Sequence, residues 1–141
     1  VNYYLDTSVV VALLLQDMHS SKADAWLIRT KPTLLVSDFC AVEFAAVVSR
    51  RVRMNVLTAE NASLALRRFD DWLSRPVQSV RCAPEQMAAA GQIVRDITTE
   101  LSAPDAIHLA ITRHLGATLA TFDDRLARAA RRHIVAVTIP D

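Results

Sequence analysis

The run Tyr3-Tyr4-Leu5-Asp6-Thr7-Ser8-Val9-Val10-Val11 decides how this chain reads. Residues 2–5 form an apolar segment of the kind that becomes a buried strand. The segment meets a single carboxylate, Asp6, and apolar sequence resumes from Val9 to Leu15. A carboxylate between two core elements is costly unless something pairs with it. No basic residue lies within ten positions of Asp6, so its partners are expected from distant sequence, with other acids around a shared cation as the leading candidates.

Working outward, strands and helices alternate. Thr7 to Leu15 reads as a short buried helix and Ser20 to Arg29 as an amphipathic one, with Ala23, Trp26 and Leu27 at helical spacing. Leu34-Leu35-Val36 is the second strand. Ser37-Asp38 can cap the next helix, which runs to about Arg53. Thr58 opens a helix to about Ser74 with Leu64, Leu66, Phe69, Trp72 and Leu73 as its apolar stripe, and Pro76 ends it. Val77 to Cys82 alternates as the third strand. Pro84 starts a helix through Met87, Ala90, Ile93, Val94 and Ile97. Ser102-Ala103-Pro104-Asp105 starts another, and Gly116 stands where a helix C-terminal glycine belongs. Ala117 to Thr121 is the fourth strand, Asp123-Asp124 begins the last helix, and Ile134 to Ile139 is the fifth strand. Such alternation implies right-handed βαβ crossovers and a parallel sheet covered on both faces.

Composition narrows the class. The 141 residues fit one domain, 1–141, and at 52% hydrophobic and 22% charged they supply a full core. Two glycines, Gly91 and Gly116, are too few for a glycine-rich phosphate loop or an all-β fold of tight turns. Cys40 and Cys82 match no disulfide or zinc spacing, so free thiols in a reducing cytoplasm are expected. The apolar runs are too short to span a bilayer, and the N-terminus lacks the basic lead of a signal peptide.

In open α/β sheets the reactive crevice lies outside the carboxyl ends of the strands. Four acids are placed to reach that edge. Asp6 ends the first strand, Glu43 is in the second turn of the helix leaving the second, Asp105 is in the first turn of the helix before the fourth, and Asp123 follows the fourth. Each has a plainer reading. Asp6 and Asp123 can cap the helices they precede, and Ser102 with Asp105 makes a capping box. Glu43 is hardest to explain away, because Phe39, Cys40, Ala46 and Val47 leave it no polar helix face.

Converging carboxylates repel and raise one another's pKa values, and a divalent cation removes the repulsion. Oxygen ligands without His or Cys at metal spacing point to Mg2+ or Mn2+ rather than zinc. Such an ion can lower the pKa of a water, polarise a phosphoryl oxygen and steady a leaving oxygen, and two ions about 4 Å apart would share these tasks. Net charge is +1, but setting the four acids aside leaves a surplus of five positive charges, suited to a phosphodiester. Arg50, Arg51 and Arg53 cluster after the Glu43 helix, and Arg125, Arg128, Arg131 and Arg132 follow Asp123. Arg50, Arg51 and Arg125 are candidate contacts to RNA phosphates, with solvated helix ends the alternative. His108, three residues beyond Asp105 on an apolar helix, is expected as a core or supporting histidine ahead of a general base. His19, His114 and His133 carry no recognisable pattern.

Leu5-Asp6-Thr7-Ser8, Glu43 in its apolar helix, Leu101-Ser102-Ala103-Pro104-Asp105-Ala106-Ile107-His108-Leu109-Ala110 and Ala120-Thr121-Phe122-Asp123-Asp124-Arg125-Leu126 resemble, in order, the motifs of PIN-domain nucleases. The resemblance is to the VapC toxins of bacterial type II toxin–antitoxin modules and covers essentially the whole chain. It implies a PIN-like three-layer α/β/α sandwich around a five-stranded parallel sheet. It also implies Mg2+- or Mn2+-dependent endoribonuclease activity by metal-activated water, leaving a 5′-phosphate and a 3′-hydroxyl. Asp6 and Asp105 would be the main metal ligands, with Glu43 and Asp123 completing the site directly or through water. Thr7, Ser8 and Thr121 would support it by hydrogen bonds. A small VapB-like antitoxin, DNA contact only through that antitoxin, and a homodimer are the implied associations.

Other folds carry acids at strand ends. A response-regulator receiver needs a late lysine, and both lysines here, Lys22 and Lys31, come early. A haloacid-dehalogenase phosphatase needs a second aspartate where Ser8 stands. A PIN-fold module that binds metal or RNA without cutting stays open.

Overall fold

The computed structural model describes residues 1–141. Five strands, β1 (Asn2–Leu5), β2 (Thr33–Ser37), β3 (Gln78–Val80), β4 (Thr118–Ala120) and β5 (Val137–Thr138), form one sheet in the order β3-β2-β1-β4-β5. Every neighbouring pair is parallel, so each connection crosses over through helix. α1 (Thr7–Leu14) and α2 (Ser20–Thr30) follow β1, and α3 (Asp38–Arg53) and α4 (Ala59–Ser74) follow β2. α5 (Pro84–Arg95), a 3-10 turn (Ile97–Thr99) and α6 (Ala103–Leu115) lead to β4, and α7 (Asp124–Arg132) joins β4 to β5.

The two-residue period of the strands sorts their side chains between two cores. Tyr4, Leu35 and Leu119 face α5, α6 and α7, while Leu5, Leu34, Val36 and Ala120 face α1 to α4. The result is helix, sheet, helix, as expected of continuous apolar strands buried on both faces. Each fully buried Val or Leu contributes about 1.5–3 kcal/mol, which lets the central strand carry a buried carboxylate at its end.

Several edges differ from the sequence expectation. β3 and β5 are shorter than Val77–Cys82 and Ile134–Ile139. Ile134 leaves α7 in a left-handed conformation (φ 57°), and β4 pairs only from Ala136 onward. α5 stops at Arg95, because Asp96 Oδ1 accepts from the backbone and hydroxyl of Thr98 at 3.0 and 2.6 Å and turns the chain. Ile97, expected to face inward, is therefore 86% exposed. The buried face of α4 is Ala62, Ala65 and Phe69, and Leu64 lies at its margin. Gly116 does end α6, with φ 60°. No helix is long and apolar enough to cross a membrane.

Candidate active site

The strand order reverses direction at β1: β2 and β3 lie to one side, β4 and β5 to the other. The crevice at the carboxyl ends of β1 and β4 is therefore the switch point of the sheet. Asp6 stands there, joined to β4 by its backbone N–H on Ala120 O at 3.2 Å. Its carboxylate is 4% exposed. Oδ1 accepts from the Val9 N–H at 3.2 Å, capping α1, and from the Ser8 hydroxyl at 2.6 Å; Oδ2 accepts from the Thr121 hydroxyl at 2.5 Å. The partners of Asp6 inside the chain are thus hydroxyls and an N–H, where other acids around a cation were expected. Burial raises its pKa against the opposing pull of His108 and these hydrogen bonds.

Thr7, Ser8 and Thr121 are the struts of the crevice. Ser8 Oγ also accepts from the Phe122 N–H at 3.0 Å, and Thr121 Oγ1 from the Asp123 N–H at 2.9 Å. Residues just after β1 therefore fix the turn after β4. Thr7 Oγ1 donates to Glu43 Oε1 at 2.7 Å.

Glu43 enters from α3, and its Oε1 also pairs with His108 Nε2. His108, on α6 and 2% exposed, turns Nδ1 to the Tyr4 hydroxyl at 2.7 Å, and Tyr4 reaches Ser37 Oγ at 2.7 Å. Burial drives the Tyr4 phenol well above its ordinary pKa, so it stays protonated. Burial also pushes the Cys40 thiol beneath this network up to about 12, which removes it as a nucleophile. Burial pulls Glu43 upward as well, but the bonds from His108 and Thr7 and the His108 charge outweigh it and leave the pKa below the ordinary value.

Asp105 sits in the first turn of α6, whose N-cap Ser102 accepts the Asp105 N–H at 3.3 Å. The carboxylate is half-buried, with the Ser102 hydroxyl as its hydrogen-bonding neighbour. Burial, then the charge of Asp123, and more weakly that of Asp6, raise its pKa against Ser102 and His108. Asp123 caps α7, with Oδ1 accepting from Arg125 N at 2.8 Å and Leu126 N at 3.0 Å.

Asp6, Asp105 and Asp123 thus share one electrostatic neighbourhood with no arginine or lysine paired to any of them; the close acid–base contacts of the chain are Arg29–Asp141 and Glu43–His108. Glu43 is drawn to one side by its histidine. No three His, Cys, Asp or Glu side chains come together as a group that could hold an ion, so the four acids expected to converge do not form one cluster. The donor set nonetheless fits a hard cation. The Oδ2 atom of Asp123 accepts no bond from the chain, Asp6 Oδ2 accepts only one, and Asp105 has only the Ser102 hydroxyl beside it as a partner. One or two carboxylates with a largely aqueous shell is a common way to hold Mg2+.

Beside the crevice opens a cavity of about 420 Å³ lined by Thr7, Ser8, Asp123, Arg50, Arg51 and a pair of rings, His19 and Phe122, among others. A second hollow, about 290 Å³, adds Glu43 and Arg53 and shares Thr7 and Arg50. Arg50 and Arg51 therefore stand by the carboxylates, whereas Arg125 is exposed on α7 and lines neither hollow. His19 carried no recognisable pattern. Its only local signal is a place just before a helix, and its ring partner lies near the other end of the chain.

Residues 3–132 match the family model of the PIN domain. Among solved structures, the chain resembles VapC20 of Mycobacterium tuberculosis, described as a sarcin-ricin-loop-cleaving toxin, at 24% identity and TM-score 0.73 over 90% of this chain and 94% of that one. It resembles VapBC2 from Rickettsia felis bound to a promoter DNA fragment at 16% identity and TM-score 0.72 over the full length of both. FitAcB from Neisseria gonorrhoeae is similar at 21% identity and TM-score 0.69, over 98% of this chain and 97% of that one. No curated protein matches the chain.

Proposed function

The chain belongs to the PIN-domain family, and from that premise and the carboxylate geometry we propose that it is a metal-dependent endoribonuclease acting as the toxin of a toxin–antitoxin pair. The observation that carries the reading is that Asp105 feels the charges of Asp123 and Asp6 at one crevice, with no arginine or lysine paired to any of the three. Asp6 and Asp105 would hold Mg2+ or Mn2+, with Asp123 beside them. The ion, when bound, supplies charge neutralisation and an activated water for phosphodiester hydrolysis. Ser8 and Thr121 fix the rotamer of Asp6 and so its free lone pair. Glu43, held by Thr7 and His108, keeps its charge and acts at the margin of the site, through water.

The test is single-turnover cleavage of end-labelled RNA with Mg2+ or Mn2+. Wild type is expected to leave 5′-phosphate and 3′-hydroxyl ends. Chelator, Asp6→Asn and Asp105→Asn are each expected to abolish cutting while the fold, checked by circular dichroism, persists. Full activity in chelator or in either variant overturns the reading. The side-on position of Glu43 and the lack of any group of three such ligands favour one alternative, a PIN fold that holds RNA without cutting. RNA binding by wild type with no cleavage under any divalent ion would select it.

A small antitoxin that inhibits the chain, DNA contact only through that antitoxin, and self-association into a dimer complete the proposal. Structures described as toxin–antitoxin complexes among the similar folds support it, as do the exposed apolar residues Val42 and Met54 on and after α3 and Met87 on α5. Co-expression of the native operon with light scattering tests it; a lone monomer and no co-purifying small protein count against it.

A further inference from the structure

His19 and Phe122 lie face to face, with ring centroids 4.3 Å apart and planes 9° from parallel. Neither is a core residue. Both are half-buried, and both line the larger cavity. Phe122 is held by the same network as the carboxylates, through its N–H on Ser8 Oγ and its neighbours Thr121 and Asp123. His19 is fixed by its backbone, whose N–H donates to Asp17 Oδ1 at 2.8 Å, while its imidazole nitrogens find no partner in the chain and reach solvent.

The same cavity is lined by two guanidinium groups. Neither Arg50 nor Arg51 is paired with a carboxylate. Arg51 Nη1 donates to Gln16 O at 3.3 Å, bracing the loop that presents His19. Asp17, the remaining acid on this lining, is engaged by the His19 N–H and the Ser20 hydroxyl. Rings, unpaired guanidinium groups and the carboxylate crevice thus share one hollow large enough for a nucleotide.

We propose that this hollow is a nucleotide subsite for single-stranded RNA. The base of one nucleotide stacks on the His19–Phe122 pair, and Arg50 and Arg51 take its phosphate. This deepens the ribonuclease reading and rests on it for the identity of the strand. A base in a duplex is stacked on both faces, so the subsite selects loops and unpaired segments. Stacking tolerates any base, so the subsite is expected to be undemanding about sequence.

The test is binding, by fluorescence anisotropy in chelator, of labelled hexamers of oligo(A), oligo(C) and oligo(U) and of an abasic hexamer. Wild type is expected to bind the best hexamer about 5- to 150-fold more tightly than His19→Ala does, the range for loss of one base–aromatic stack. His19→Tyr should retain most of the affinity and report on the subsite should His19→Ala fold poorly. Arg50→Ala should weaken all hexamers alike and flatten the salt dependence. Equal binding by wild type and His19→Ala, equal binding of abasic and natural hexamers, or no binding of any hexamer overturns the subsite. Tighter binding of the matching deoxy hexamers overturns its assignment to RNA. A folded protein that binds the hexamers in this pattern yet cuts no RNA with Mg2+ overturns the nuclease reading alone.

Discussion

His108 on α6 and Glu43 on α3 form a hydrogen-bonded pair beneath the crevice, and with it they tie the two helical layers together at the sheet edge. Phe39 of α3 adds a second link, its ring meeting the edge of His108 at a centroid distance of 5.3 Å. The further partners of His108 and Glu43, Tyr4 from β1 and Thr7 from α1, come from the centre of the molecule. A buried pair of this kind is weak evidence for net stability, but removing one member strands the other.

His108→Ala is expected to cost about 2–4 kcal/mol, combining a cavity with the loss of one hydrogen bond each from Tyr4 and Glu43, which keep Ser37 and Thr7. Tyr4→Phe, which leaves Ser37 Oγ and His108 Nδ1 without their bond, should cost about 1–3 kcal/mol. Urea unfolding midpoints at constant slope measure both. A loss below about 0.5 kcal/mol in each would show that the network carries no strain-free packing of its own.

The pairing of Glu43 has a pH signature. Its folded-state pKa lies below the ordinary value, so its stabilisation is present above the unfolded pKa, about 4.3, and is lost as pH falls through the folded one. The advantage of wild type over Glu43→Gln in Tm should be full at pH 6 and shrink below about pH 4. A difference unchanged down to pH 3 contradicts the pairing.

Asp6 and Asp105 behave in the opposite sense. Burial raises both, so each destabilises the metal-free fold above the unfolded pKa, about 3.9, and the penalty vanishes below it. Asp6→Asn and Asp105→Asn keep an acceptor for the Val9 N–H and leave the Ser102 cap intact. Both should raise Tm at pH 7 in chelator, by about 2–4 °C for each kcal/mol relieved, and neither should do so at pH 3. A lower Tm for both at pH 7 would mean that the carboxylates hold the fold together.

Metal binding should be visible without any substrate. Mg2+ or Mn2+ at about 100 times its Kd would stabilise wild type by about 2.7 kcal/mol. The double variant Asp6→Asn with Asp105→Asn should show no such rise. Equal Tm shifts in both proteins would place the ion elsewhere.

The alternation of apolar strands and helices made the architecture legible, and the sites where acids interrupt it pointed to the crevice. Element ends were less legible. Ile97 and Ile134 look like core residues in one dimension, yet Asp96 captures the backbone before the first and a left-handed turn carries out the second. Asp6 was found as a buried acid, but its partners were misjudged. Ser8 and Thr121 are small hydroxyl residues that look neutral in sequence, and only the adjacency of β1 and β4 places Thr121 at Asp6 Oδ2.

By itself, the sequence determined the layered parallel fold and pointed to Asp6, Glu43, Asp105 and Asp123 as candidates, because those signals are periodic and local. Tertiary structure alone decided that Glu43 belongs to His108, that Asp105 feels Asp123, and that His19 faces Phe122 across the hollow. Those pairings arise where the chain crosses the sheet in opposite directions from β1, and a short-range pattern carries no record of what lies beside it after such a crossing.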